Sequence, residues 1–469
     1  MERMNALDAG MFFAETERAP LNIASITVLE GPPPAYDDLV DTIRARMPRL
    51  PRYRQRVRTV PFNLGLPVWI DDPDFRLSHH VRHTALPRPG GRRELGSLVG
   101  RIMSQRLDLS RPLWEMWMVE GLAHGRWAVI SKVHHCVVDG VGASDLIGEI
   151  FDLEARPPEP RRIPEVKSEP PPSALALTLD GLGQAAVRPV RAIARLALRP
   201  SPSRAFGTLR EVRDFTEGLP HTVEQITHHG VASLSGPAGR HRRWSWLEVD
   251  LDEVKAIRVA LGGTVNDVVL AAVTHGFRAL LSARGELTDQ TLVRSLVPVS
   301  VRGSDEQGDL GNHVSALIVT LPCGEPDPAR RLEVLRTEMD THKHTHQAVS
   351  ADAVVRLAGS APTMLSPATR VIMSALTPMF QTVTTNVPGP QFPLYALGRK
   401  VVALYPYVPL AAGAGISVGV FSYLGRLYFG ITGDFDTVPD IETLTAGIEA
   451  GFSELTDLAA PAETEGAAR

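Results

Sequence analysis

The chain has 469 residues, too many for one ordinary core and enough for two packed domains. A net charge of −4 and a pI near 6.4 argue against a dedicated nucleic-acid binder, which carries a strongly basic domain, while leaving room for local basic patches toward an anionic ligand. The two cysteines, Cys136 and Cys323, supply neither a disulfide framework nor a metal cluster and fit a reducing compartment.

The N-terminal stretch MERMNALDAGMFFAETERAP mixes acids and bases before any apolar run, so it lacks the organisation of a secretory signal, and the mature chain is expected to begin at Met1. Residues 1 to about 155 mix short strand and helix signals and form a first domain. Within it Pro112-Leu113-Trp114 reads first as packing. Residues 127–133 (WAVISKV) form an apolar, β-branched strand that runs into His134-His135, Asp139-Gly140 supplies a turn, and 143–151 reads as a helix. Histidine is the side chain that takes and returns a proton near neutral pH, so a pair at a strand end is a candidate acid–base site. Strand alternation predicts that the two side chains point opposite ways, and either one is compatible with the role at this level. The competing reading is a hydrogen-bonded structural histidine. His79-His80 and His228-His229 serve as internal controls, since neither has Asp-Gly at the same distance.

Proline is so frequent between 155 and 172 that an extended, exposed linker is expected there. Beyond it, Arg188, Arg191, Arg195 and Arg199 recur at helical spacing among Val190, Ile193, Leu196 and Leu198. Such a helix suits either an anionic membrane surface or the solvated face of a crossover helix, with Pro189 and Pro200 limiting its length. The second domain begins near 220 and shows strand signals at 244–249, 292–297, 314–321, 381–387 and 416–423. Thr264 is placed to cap a helix through Val268, Val269, Ala272 and Val273, with Asp267 at its third position, near the positive end. No charged residue falls between Lys400 and Arg426, a length that could cross a bilayer as a helix. Pro406, Pro409, Gly413, Gly415 and Gly419 interrupt it, so two buried strands are expected instead. The resulting division is 1–155, a linker and basic segment at 156–219, 220–457, and a loose tail at 458–469.

The spacing of His134, His135, Asp139 and Gly140 is HHxxxDG. Further segments accompany it: Leu7-Asp8-Ala9, Pro112-Leu113-Trp114 with Gly121, Asn266-Asp267-Val268-Val269-Leu270-Ala271, Val297-Pro298-Val299-Ser300-Val301-Arg302 followed by Gly311-Asn312, Asn386-Val387-Pro388-Gly389-Pro390, and Ser422-Tyr423-Leu424-Gly425. In these residues, and in their order over nearly its whole length, the chain resembles the bacterial wax ester synthase and acyl-CoA:diacylglycerol acyltransferase family. HHxxxDG alone would indicate only the superfamily that also holds chloramphenicol acetyltransferase and peptide-synthetase condensation domains.

The resemblance implies an α/β (α+β) fold of two chloramphenicol-acetyltransferase-like lobes with mixed sheets and an active-site channel between them. It implies an O-acyltransferase moving a long-chain acyl group from acyl-CoA to diacylglycerol, or to fatty alcohols, at the cytoplasmic side, with contact to the inner membrane or lipid inclusions as a further expectation. His135 is then the proton acceptor, and its imidazolium returns the proton to the CoA thiolate. His134, Asp139 and Gly140 support the motif; Asp139 is expected to pair with an arginine of the other lobe, for which Arg302 is the candidate. Asn266 and Asp267 are expected to support the site, and Pro112, Trp114, Asn386, Pro388 and Gly389 are candidates to line the channel. For these the alternatives are a helix cap, core packing and a rigid strand exit. No cofactor and no metal are implied, acyl-CoA being a substrate; no nucleic-acid partner is expected, and the oligomeric state is not implied.

Cys136 adjoins His135, yet on a strand it would face the other way, and no Gly-x-Ser-x-Gly elbow offers another nucleophile. Direct attack by the alcohol is therefore expected over an acyl-enzyme. Asn22 stands where many family members carry histidine, and Ser417 where many carry asparagine, which bears on acceptor preference. Two other functions compete: a carrier-protein-dependent condensation or polyketide-associated acyltransferase, and a lipid-binding paralogue without turnover.

Overall fold

The computed structural model describes residues 2–140, 151–156, 173, 175–180, 231–300, 314–344 and 380–460. The first half supplies β1 (Glu2–Arg3), β2 (Asn22–Leu29), β3 (Gln55–Arg58), β4 (Val68–Asp71), β5 (Val81–Ala85), β6 (Trp114–Leu122) and β7 (Arg126–His134). The second half supplies β8 (Arg242–Asp250), β9 (Val293–Ser300), β10 (Val314–Leu321), β11 (Thr382–Val387), β12 (Tyr395–Ala396), β13 (Arg399–Tyr407), β14 (Ile416–Tyr423) and β15 (Arg426–Asp434).

These strands build two six-stranded sheets, in the orders β12-β13-β2-β7-β6-β5 and β10-β9-β11-β14-β15-β8, with a small sheet β1-β4-β3 beside the first. Both large sheets are mixed: β5 runs parallel to β6, and β11 parallel to β9 and β14, while the remaining pairs are antiparallel. The expected mixed α/β architecture with two domains is therefore present. Central strands are covered on both faces, which explains why their sequences are continuous apolar runs without alternation. All eight residues of β14 are buried, and the uncharged segment before Arg426 folds as β13 and β14. Among the described residues no single helix is long and apolar enough to cross a membrane.

The sheets do not follow the sequential division into lobes 1–155 and 220–457. After β11 the chain leaves the second sheet through Pro388-Gly389-Pro390, and β13 adds to β2 of the first sheet, with Tyr405 opposite Ile26. The reason is an edge: β2 would otherwise expose unpaired backbone groups on its outer side, and β13 satisfies them. The crossing is held by the β14–β15 hairpin, where Gly389 N–H donates to Ser422 Oγ at 3.0 Å and Leu394 N–H to Tyr423 Oη at 2.9 Å.

A second exchange covers the outer strand of the other sheet. The helix Arg92–Ser104 buries Leu95, Leu98, Val99, Ile102 and Met103 and lies against β8. Gly96 and Gly100 permit the approach, for a Cβ on them would sit 2.7 Å from the Trp244 carbonyl oxygen and 2.5 Å from that of Arg242. The helix's last residue then accepts from the strand, Arg242 N–H to Ser104 Oγ at 2.9 Å. The helix Ile441–Ala459 runs two residues into the expected tail at 458–469. The linker core at 157–172, the Arg188 to Arg199 segment and residues 143–150 lie outside the described residues.

Candidate active site

Strand β7 is the central device. Its register places Trp127 opposite Leu29 and His134 opposite Asn22 on β2. The strand ends at His134, and His135–Gly140 continue as a tight 3-10 turn that contains Asp139 and Gly140. The two histidine backbones are pinned from opposite sides: His134 N–H donates to the Leu113 carbonyl at 3.0 Å and His135 N–H to the Leu21 carbonyl at 2.9 Å. The Pro112-Leu113-Trp114 segment thus reaches the motif through its backbone, whereas the Trp114 ring packs elsewhere. Its Nε1 donates to the Tyr53 carbonyl at 2.8 Å, and the ring stacks on His80 with centroids 4.6 Å apart.

The histidines differ in burial. His134 is fully buried, and His135 is half-buried. His134 Nδ1 lies 3.2 Å from the Cys136 backbone N–H and 2.9 Å from Cys136 Sγ. A backbone N–H can only donate, so Nδ1 carries a lone pair and the neutral ring bears its proton on Nε2. That Nε2 faces Glu15 Oε1 at 3.8 Å. Burial, with His135 and Arg106 nearby, pulls the His134 pKa down to about 4, so the ring is neutral near pH 7.

Strand alternation does not extend to Cys136, because the strand has already ended; its sulfur turns back to His134. Cys136 is 2 % exposed, and burial, with Asp8 and Glu15 close by, pushes the thiol well above its usual pKa. A thiolate there is strongly disfavoured.

Around His134 lies a buried polar group that sequence reasoning did not anticipate as a unit. Glu15 ends the helix Ala6–Ala14 and takes a two-pronged contact from Arg106, with Nε at 3.1 Å and the terminal nitrogen at 2.7 Å. Lys132, two residues before His134, is 1 % exposed and donates to the carbonyls of Ile102 and Gln105 at 3.0 and 2.6 Å, closing the C-terminal end of the helix Arg92–Ser104. Burial lowers its pKa to about 8 against the pull of Glu115 and Glu15. Asn22 is also buried, with Nδ2 3.4 Å from the Gln105 carbonyl. A lysine inside an apolar strand was the one available signal in the sequence; Glu15 and Arg106 carried none.

A second group forms in the other sheet. Thr264 caps the helix Val265–Ala283 in a reciprocal box, accepting from Asp267 N–H at 3.2 Å while Asp267 Oδ2 accepts from Thr264 N–H at 2.8 Å. Asp267 is 1 % exposed and does this capping work as expected. Its neighbour Asn266 presents Oδ1 to Asn386 Nδ2 at 3.4 Å, so the Asn266-Asp267 and Asn386-Val387-Pro388 segments meet. Ser417 is buried in β14 and donates to the Pro409 carbonyl at 2.9 Å. Arg302, the candidate partner of Asp139, lies outside the described residues.

Residues 4–269 match the model of the wax ester synthase/diacylglycerol acyltransferase catalytic domain, and 310–456 that of the WS/DGAT C-terminal domain. A protein of Mycobacterium tuberculosis named as a probable diacylglycerol O-acyltransferase, tgs1, is 35% identical over 462 residues, covering 97% of this chain and 96% of its own. A second from the same species, tgs2, carries the same kind of name and is 30% identical over 465 residues, covering 97% and 99%. Among solved structures, the wax ester synthase/diacylglycerol acyltransferase of Marinobacter aquaeolei VT8 superposes with a TM-score of 0.67 at 24% identity, covering 97% of this chain and 99% of that one. The first condensation domain of the calcium-dependent antibiotic synthetase does so with a TM-score of 0.57 at 15% identity, covering 98% and 96%. At these identities the two superpositions speak for the fold alone. The two matched models together span most of the chain, and the chain belongs to the wax ester synthase/diacylglycerol acyltransferase family.

Proposed function

We propose that this protein is an O-acyltransferase that moves a long-chain acyl group from acyl-CoA to the free hydroxyl of diacylglycerol, and to long-chain alcohols, with His135 as the proton acceptor. The observation that carries the assignment of the base is the unequal state of the two histidines. His134 has its Nδ1 lone pair engaged by the turn and its ring sealed from solvent, whereas His135 keeps surface to meet a substrate.

An alcohol is a weak nucleophile near pH 7, and attack on a thioester is assisted when a base removes the hydroxyl proton as the C–O bond forms. His135 takes that proton. Collapse of the tetrahedral intermediate breaks the C–S bond, and the imidazolium gives the proton to the departing thiolate, so the enzyme returns to its starting state with ester and free CoA as products. The buried, protonated Cys136 thiol disfavours a competing acyl-enzyme. Family membership and the names of the mycobacterial relatives support the acyl-CoA and diacylglycerol assignment. A lipid acceptor in turn favours work at the cytoplasmic face of the inner membrane or at lipid inclusions.

The test is turnover with long-chain acyl-CoA against diacylglycerol, hexadecanol and no acceptor, alongside His135→Ala. Ester formed with either lipid acceptor and lost in the variant is expected. Absence of ester from both acceptors overturns the substrate assignment, and undiminished product in His135→Ala overturns the base.

A further inference from the structure

Residues 15–21 touch the histidine pair twice. At one end Glu15 faces His134 Nε2 at 3.8 Å, and at the other the Leu21 carbonyl accepts from His135 N–H at 2.9 Å. The Glu15 side chain is 1 % exposed and fixed, with Oε2 held by Arg106 and Oε1 accepting from Leu21 N–H at 3.3 Å. The same segment is tied to β8 of the other sheet and to the residues just before it: the buried guanidinium of Arg242 donates to the Arg18 carbonyl at 2.5 Å, and Arg240, ahead of the strand, pairs with Glu17 at 2.8 Å. His134 sits between these fixed points and the turn, with Nε2–H toward Glu15 and Nδ1 accepting from the Cys136 N–H that follows His135.

We propose that Glu15 is a positioning residue for His135, acting through the His134 ring: the carboxylate holds His134 as its Nε2–H tautomer, and the ring in turn fixes the turn that carries His135. The inference rests on the reading of His135 as the base. His134 Nε2 is buried without a hydrogen-bond partner among the described residues, and Glu15 Oε1, at 3.8 Å, is the carboxylate oxygen that faces it, so its charge favours a proton at Nε2 and adds to the preference that the Cys136 N–H sets at Nδ1. Misplacement of the base by a fraction of a side-chain length is enough to slow proton transfer, with about 10- to 100-fold at stake.

The experiment is a double-mutant cycle in the full-length protein, with kcat and KM for acyl-CoA as readouts and thermal melting as a folding control. Glu15→Ala is expected to lower kcat by about 10- to 100-fold with KM changed by less than about threefold. Glu15→Gln keeps an acceptor oxygen toward both His134 and Leu21 but turns an amide NH2 to the Arg106 donors that Oε2 accepted from, so it is expected to recover part of the loss. Because Glu15 acts through the ring, Glu15→Ala introduced into His134→Asn is expected to cost almost nothing more. Equal losses in both backgrounds overturn the proposal, since a merely structural carboxylate would show them.

Two further measurements keep the test decisive, the second without any Glu15 variant. Asparagine keeps an acceptor where Nδ1 stands and glutamine can keep an N–H donor where Nε2 stands, so adding Glu15→Ala is expected to cost little in His134→Asn and clearly more in His134→Gln; equal added costs in the two count against the proposal. Nitrogen-15 NMR of the wild type is expected to show His134 as the Nε2–H tautomer, and an Nδ1–H signal would overturn it. Full activity in His135→Ala instead defeats the base assignment, whereas loss in His135→Ala with an additive cycle defeats only the role of Glu15.

Discussion

The chain contains two described histidine pairs, His79-His80 and His134-His135, and each has one buried member. In the first pair His80 is buried, stacked between Phe75 and Trp114, and its Nδ1 lies 2.8 Å from the Trp114 carbonyl. A carbonyl only accepts, so His80 carries its proton on Nδ1. His134 has the opposite tautomer, because its Nδ1 faces a donor. The exposed partner of His80 is His79, at the surface of a one-turn helix, while the partner of His134 is the half-buried His135, pinned through its N–H at the mouth of a turn. The comparison separates histidines that complete a core from one that a core holds in place.

The sharpest way to break that contrast is to remove the reactive member. His135→Ala is expected to lower turnover by about 10²- to 10⁴-fold with an unchanged melting temperature, measured by ester formation and circular dichroism. A fall in melting temperature of the kind seen for a core residue would place His135 with His80 instead.

Acid tests the buried members. The unfolded chain takes up a proton at His134 near pH 6.5, whereas the folded ring resists until about 4. The neutral ring's contribution is therefore complete above about 6.5 and is lost as the pH falls toward 4, a difference on the order of 3 kcal/mol. Burial also lowers the His80 pKa, which adds to the same slope. Urea unfolding at pH 7 and pH 5 should show the loss, and His134→Asn should flatten it. An unchanged slope in that variant would show that other groups carry the acid sensitivity.

The smallest effects belong to the first pair. His80→Ala strands the Trp114 carbonyl and removes a stacked ring, for an expected loss of about 2 kcal/mol in chemical denaturation. Turnover per folded molecule should stay within about threefold of wild type. His79→Ala, at an exposed site, should move stability by less than about 0.5 kcal/mol. A large catalytic defect in either variant would erase the distinction between the pairs.

Local signals in the sequence carried the elements that depend on local chemistry. The WAVISKV run became β7 because its residues suit burial on both faces, and the cap at Thr264 formed because the hydroxyl and Asp267 lie three residues apart on the chain. The uncharged stretch before Arg426 became strands because its prolines and glycines refuse a helix. The path of β13 into the first sheet was not legible, since strand pairing is decided by which edge is open and not by the strand's own residues. Glu15 was hidden for a related reason: a carboxylate followed by Thr16-Glu17-Arg18 looks like a solvated turn until Arg106 and His134 close over it. Cys136 was read by strand alternation although the strand ends two residues earlier, at His134, and its sulfur is placed by the turn.

By itself the sequence determined the chemical vocabulary: a histidine pair after an apolar strand, an Asp-Gly turn, and the ordered segments that mark an acyltransferase family. Only the tertiary structure decided how that vocabulary is used, because a ring's tautomer and accessibility depend on which donors and acceptors stand beside it. For His134 and His135 those neighbours are Glu15, Leu21 and Leu113. They come from distant parts of the chain and meet only when β2 and β6 close on β7.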